Sequence, residues 1–236
     1  MQKVKTMNQR LRFPVIILNF KTYKEATGAS ALSLARIAEK IAGETGVEIV
    51  VAPQNVDLYR VASSVSIPVF AQHVDPVTPG SSTGHTTVEA VKESGAAGSL
   101  VNHSEKRLRL SDIRTCVAKL REAGLTSLVC AGDAVESSAA SAMNPDIVAV
   151  EPPELIGTGI PVSKAKPEVV SETVERIRRI TRDVRILCGA GISGADDVAA
   201  ALKLGTDGVL LASAYVKSKN PEKLLKEMAE ASLGRR

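Results

Sequence analysis

Tryptophan is absent from this chain of 236 residues, and aromatic residues make up only 3% of it. A core must therefore be assembled from Ala, Val, Leu and Ile, the side chains that fill parallel sheets buried on both faces. The stacking platforms that single-stranded nucleic acid needs are lacking as well. Cysteine is equally scarce: Cys116, Cys130 and Cys188 are widely spaced, form no CxxC pair and sit in apolar surroundings, so neither a disulfide framework nor a metal site is expected. No stretch approaches the roughly 18 consecutive apolar residues of a membrane span, and Met1 to Arg12 lack the apolar run of a signal peptide. The expectation is a soluble, cytoplasmic protein with no membrane or nucleic-acid partner.

Large blocks of one charge are missing too. The 30 basic and 26 acidic residues leave a net +4, and they are scattered. Arg176, Arg178, Arg179, Arg182 and Arg185 cluster, and without accompanying aromatics they read as a solvated helix face.

What is present is an alternation. Short β-branched runs (15–18, 48–51, 69–71, 99–101, 127–130, 147–150, 185–188 and 208–211) are separated by amphipathic stretches, which predicts a parallel sheet with helical crossovers. Eight such units are the number that closes a barrel, so the fold class is α/β, a single (β/α)8 barrel. The clearest helices are predicted over 30–42, 111–123, 167–181, 193–204 and 221–231, and Ser111 and Ser193, each followed closely by an acid, read as helix starts. The Ser- and Ala-rich stretch 135–143 is predicted to be the shortest or least regular helix. Residues 72–86 form the one long loop, expected either to be mobile or to be held by a partner. Residues 1–12 read as a loose extension, with Met7 a candidate start that intact-mass measurement would test, and 13–236 as one catalytic domain.

In parallel barrels the reacting groups leave the C-terminal ends of strands. Strand one runs into Asn19-Phe20-Lys21, strand four into Asn102-His103-Ser104-Glu105, and strand six into Glu151. Singly, Lys21 reads equally as a solvated loop lysine, His103 as a satisfied strand-end histidine and Glu151 as ordinary strand-end polarity; their coincidence on one rim weakens those readings. After strands seven and eight, Cys188-Gly189-Ala190-Gly191-Ile192-Ser193 and Leu210-Leu211-Ala212-Ser213-Ala214 offer small residues and exposed backbone amides, a place for a phosphate, although glycines also serve merely to permit tight turns.

The ordered motifs NFKTY, NHSEK, EPPELIGTG, CGAGIS and LLASA resemble the triosephosphate isomerase family over nearly the whole chain, most of all its short archaeal members. The resemblance implies a TIM barrel and an aldose–ketose isomerase of glycolysis and gluconeogenesis, interconverting dihydroxyacetone phosphate and glyceraldehyde 3-phosphate through an enediolate. It implies Asn19 and Lys21 in substrate binding, His103 as a neutral electrophile, Glu151 as the carbon base and Glu105 as the partner of the lysine. Backbone groups of Ile156 or Gly157, Gly191, Ala212 and Ser213 would hold the phosphate, and residues 152–163 would close over it. No cofactor is implied. The family is oligomeric, with the loop 72–86 reaching into a neighbouring subunit; the archaeal likeness favours a homotetramer, a homodimer next. Two positions depart from the commoner family pattern: Pro153-Glu154 replace a Val-Trp pair at the lid hinge, and Gly84-His85 replace Gly-Glu. Two other readings are carried: a phosphosugar aldolase with Lys21 as Schiff-base amine, and a phosphate-binding barrel without catalysis.

Overall fold

Alternation along the strands decides the architecture. Eight parallel strands, β1 (Val15–Asn19), β2 (Glu48–Ala52), β3 (Phe70–Ala71), β4 (Gly98–Val101), β5 (Thr126–Ala131), β6 (Ile147–Val150), β7 (Arg185–Cys188) and β8 (Gly208–Leu211), form one sheet in the order β2-β1-β8-β7-β6-β5-β4-β3. The structure is a computed structural model, and it describes residues 11–152 and 167–234. A bridge between Val51 and Val69, with the Val51 amide donating to the Pro68 carbonyl at 3.2 Å, brings β3 back to β2 and rounds the sheet into a barrel. This seam is the thinnest pairing: β1 and β2 share five residue pairs.

One set of strand residues points inward and the next outward, as a period of two requires. Val15, Ile17, Val50, Phe70, Leu100, Leu128, Ile147, Ala149, Leu187 and Leu210 fill the barrel interior. Their neighbours Ile16, Leu18, Ile49, Val51, Val129, Val148, Ile186 and Val209 belong to the larger cluster that meets the helices. Both sets are buried, which is why the runs read as continuously apolar.

The helices follow from spacing and caps. In α1 (Ala29–Thr45), Ala31, Leu34, Ala35, Ala38 and Ile41 form the buried face, and Gly46, left-handed at φ 76°, ends it by donating to the Ala42 carbonyl. The others are α2 (Leu58–Ala62), α3 (Val88–Glu93), α4 (Leu110–Ala123), α5 (Ala134–Ser141), α6 (Pro167–Ile180), α7 (Ala195–Lys203), α8 (Ser213–Val216) and α9 (Pro221–Ser232). Asn220 caps α9 through its side chain, accepting from the Lys223 amide at 3.0 Å.

Two expectations about helices need correction. The stretch expected to be the weakest helix is a regular eight-residue α5, capped by the Asp133 side chain; α2, α3 and α8 are shorter. Ser111 lies within α4, not before it, and Ser193 stands outside α7, so neither serine caps its helix. The loop 72–86 carries no helix or strand, but it is tied at its own neck. Asp75 N donates to Thr86 O at 2.8 Å and Thr86 N to Asp75 Oδ2 at 2.7 Å, so its base is fixed from within the chain. Of the expected extension, residues 1–10 lie outside the described residues, while Leu11 packs against the barrel interior and Arg12 Nε meets Glu48 Oε2 at 2.9 Å. The expected solvated helix face is formed only in part: on α6 Arg176 pairs with Glu172 and Arg179 with Glu175, and the half-buried Arg178 pairs with Asp207, whereas Arg182 lies past the helix end and Arg185 opens β7, where it also meets Asp207. No described helix is long and apolar enough to cross a membrane.

Candidate active site

Strand β1 delivers its inward residue Asn19 to the C-terminal mouth of the barrel, and Lys21 follows two positions later. Lys21 adopts φ 46°, a conformation that only neighbouring contacts can hold for a side chain of this size. Those contacts are present. Its amide donates to Asn19 Oδ1 at 2.9 Å, its carbonyl accepts from Gln72 Nε2 at 2.9 Å, and its Nζ lies 2.9 Å from Glu105 Oε1. The lysine is thus fixed at three points and presents a cation with its carboxylate partner to one side.

Strand β4 ends at Val101, and Asn102 turns the chain at φ 62°, a left-handed conformation Asn tolerates. Its side chain secures the turn by donating to the Cys130 carbonyl at 3.0 Å and accepting from the Leu108 amide at 2.8 Å. His103 is thereby aimed into the mouth. Its Nδ1 accepts from the Glu105 amide at 3.2 Å, which places the imidazole proton on Nε2. Burial, with the nearby Lys21 charge, pushes the His103 pKa down to about 4, so the ring is neutral.

Glu151 follows β6 and is 3% exposed. Burial pushes its pKa up to about 7, against the opposing pulls of the Cys130 thiol and of Lys21. Among the described residues its Oε2 has no hydrogen-bond partner, and Oε1 stands 3.7 Å from His103 Nε2, beyond hydrogen-bonding distance. A carboxylate held this way is costly to the fold and available to a ligand. The same Glu151 raises the already high pKa of the buried Cys130 thiol, which stays protonated.

Between the ends of β6 and β1, the loops after β7 and β8 complete a cleft of about 240 Å3. Asn19, Lys21, His103, Glu151, Gly191, Ala212 and Ser213 all line it. Gly191 needs its left-handed φ of 71°. The loop is anchored by Asp197, whose Oδ2 accepts from Ser193 N at 2.9 Å, Ser193 Oγ at 2.6 Å and Gly194 N at 3.2 Å. Beyond β8, Tyr215 of α8 stacks on Phe20 at 6.4 Å and donates its hydroxyl to the Leu34 carbonyl at 2.7 Å, joining this rim to the lysine loop.

The structure therefore brings together every predicted site residue that it describes; Ile156 and Gly157 lie outside the described residues. Four contributors were not singled out from sequence. Gln72 directly follows β3 and obeys the same strand-end rule that identified Lys21 and Glu151, yet it reads as the start of a loop. Cys130 and Gly189 act through close packing around Glu151, which needs three dimensions. Asp197 reads as a helix-start acid, and only its reach back to Ser193 reveals its part. No group of metal-binding side chains occurs among the described residues.

A protein-family model described as triosephosphate isomerase matches residues 14–228. A triosephosphate isomerase of Methanothermus fervidus is 57% identical over 215 residues, 91% of this chain and 97% of that relative. One from Methanocaldococcus jannaschii is 53% identical over 214 residues, 91% of this chain and 98% of the relative. A third, from Methanobacterium bryantii, is 52% identical over 222 residues, covering 94% and 98% respectively.

Proposed function

As a member of the triosephosphate isomerase family this chain interconverts dihydroxyacetone phosphate and glyceraldehyde 3-phosphate, and we propose that Glu151, His103 and Lys21 carry the proton transfers. The observation that carries this assignment is the buried Glu151 carboxylate, with Oε2 unpartnered among the described residues and Oε1 3.7 Å from the Nε2 of a neutral imidazole. A substrate atom seated in the cleft beside this pair, off the line that joins them, can stand about 3 Å from both base and electrophile.

Glu151 removes the carbon-bound proton. Its pKa of about 7 suits the task, because a base titrating near working pH combines a useful ionised fraction with real proton affinity. The charge that then develops on oxygen is stabilised by the Lys21 ammonium and by a hydrogen bond from His103 Nε2, which passes a proton between the two oxygens. A neutral donor suits this exchange, since an imidazolium would bring the proton but return it reluctantly. Asn19 braces the lysine backbone, and Glu105 holds its ammonium in place. Pairing with Glu105 also argues against the Schiff-base aldolase, which needs a free amine at Lys21.

Backbone groups of Gly191, Ala212 and Ser213 are assigned to the phosphate, supported by their place in the lining of the cleft that Glu151 also lines. Ile156 and Gly157 join them by family resemblance. We also assign the enzyme to the cytoplasm, a reading supported by its glycolytic triose phosphate chemistry.

We further assign a homotetramer. Val56 at 83% and Tyr59 at 68% exposure lie beside the neck of the 72–86 loop, to which Asn55 is bonded through Thr86. Leu110 and Val135, each 61% exposed, flank the Arg107–Glu136 ion pair on another part of the surface. Two apolar patches suit two kinds of subunit contact.

The decisive experiment is a coupled assay with glyceraldehyde 3-phosphate, together with solvent-hydrogen exchange into the triose phosphates. Glu151→Gln should abolish both turnover and exchange. Turnover unchanged in that variant would remove Glu151 from its assigned role.

A further inference from the structure

The two glycines that follow β7 are there for different reasons. Gly191 needs a left-handed backbone, whereas Gly189 has a φ outside that region, so its conformation alone would accept any residue. The obstacle at Gly189 is space. A Cβ there would lie 2.5 Å from Glu151 Cγ, 3.1 Å from Oε1 and 3.2 Å from Cδ, and real Cβ atoms essentially never approach within 3.0 Å. All three nearest atoms belong to one side chain, the carboxylate arm of Glu151.

Neither partner is free to yield. The Gly189 amide donates to the Val150 carbonyl at 2.9 Å, and the Glu151 amide donates to the Ala131 carbonyl at 2.7 Å, so both backbones are pinned to the barrel wall. The Glu151 side chain is buried, with the Cys130 thiol against it and His103 at 3.7 Å. A methyl group at 189 would drive the carboxylate into the cleft that Gly189 itself helps to line.

We propose that Gly189 is a positioning residue for the isomerisation: its missing side chain is the space in which the Glu151 arm rests, and this sets where the carboxylate stands relative to His103 Nε2. The inference rests on the assignment of Glu151 as the carbon base. It makes the glycine a requirement of the base, not of the turn.

The test is a pair of substitutions, Gly189→Ala and Glu151→Ala, made singly and together in the full chain. In Gly189→Ala, kcat should fall about 10²-fold, as a misplacement of about 1 Å does. The KM for glyceraldehyde 3-phosphate and inhibition by glycerol 3-phosphate, which carries the phosphate but no carbonyl, should stay within about threefold. The acid limb of kcat/KM should move to lower pH, because a displaced carboxylate is better hydrated. Gly189→Ala should lower Tm in the wild-type background, but by no more than about 1 °C in Glu151→Ala, where the clashing Cγ is gone. Should Gly189→Ala alone fail to fold, recovery of a folded protein in the double variant supports the contact, and failure of both overturns it. Wild-type kcat in Gly189→Ala, or an equal Tm loss in both backgrounds, overturns the proposal. Wild-type turnover in Glu151→Gln would instead refute the assignment of the base, while the thermal comparison would still report on the contact.

Discussion

His103 takes its tautomer from Glu105: the Glu105 amide donates to Nδ1 at 3.2 Å, so the imidazole proton resides on Nε2, the nitrogen that faces Glu151. α4 begins only at Leu110, so the turn amide fixes the tautomer without the helix itself. Nitrogen NMR of histidine-labelled protein should show a neutral Nε2–H ring at His103 from pH 8 down to pH 5. A signal titrating near the ordinary 6.5 would contradict this. The folded pKa of about 4 lies below the unfolded value, so the neutral ring's contribution to stability is complete above pH 6.5 and is lost as pH falls towards 4.

For Glu151 the sign reverses. A folded pKa of about 7, above the ordinary 4.5 of a glutamate, means that the folded state holds its proton more tightly. The site costs least stability below pH 4.5, and the cost grows as pH rises through 7. Glu151→Gln should therefore raise Tm at pH 8 and leave it nearly unchanged at pH 4, in a chain of a size where about 1 kcal/mol moves Tm by roughly 2–4 °C. Differential scanning calorimetry at the two pH values decides it. Activity should run the other way: kcat/KM should fall with a single-proton limb near pH 7 as the base is protonated.

Lys21 depends on Glu105 for position more than for charge. Glu105→Gln keeps a hydrogen-bond acceptor but removes the carboxylate, and since the Glu105 side chain is 58% exposed, solvent screens much of that loss. Steady-state kinetics should show kcat/KM reduced by about five- to tenfold, the equivalent of about 1 kcal/mol. A loss of several thousandfold would mean that Glu105 takes part in the chemistry directly.

Gln72→Ala would leave the Lys21 and Ala52 carbonyls without their side-chain donor, each bonded at 2.9 Å. Urea unfolding should report a loss of about 1–3 kcal/mol. Catalysis should fall as well, because the left-handed Lys21 loses one of its three restraints. A variant as stable and active as wild type would show that the other two suffice.

Light scattering should give a mass near four times the 24.8 kDa of one chain. Charging one patch with Val135→Glu and the other with Tyr59→Glu should each yield smaller assemblies, since a buried unpaired charge is costly. A monomer across working concentrations would remove the assignment.

The barrel and the side chains that meet at its mouth are legible because both rest on short-range rules. Two buried faces make strands continuously apolar, and the strand-end rule picks out Lys21, His103 and Glu151 without knowledge of what lies opposite. Helix starts were less legible. Ser111 and Ser193 match capping chemistry, yet α4 begins before one and Asp197 captures the other. The grip on Lys21 and the packing around Glu151 were hidden for a further reason: Gln72, Cys130 and Gly189 act on partners far away in sequence. The neck of the 72–86 loop was missed in the same way, since the Asp75–Thr86 pairing joins residues on either side of a stretch with no regular pattern.

The seam between β2 and β3 acquires a second meaning from Gln72. Its amide nitrogen bonds the Ala52 carbonyl at the end of β2 and the Lys21 carbonyl beyond β1, while the residue itself follows β3. The clasp that fastens the hoop where it is thinnest is thus also the clasp that holds the cation. Any slackening of the hoop at Val51 and Val69 is transmitted, through one side chain, to the cation proposed to meet the negative charge of the enediolate.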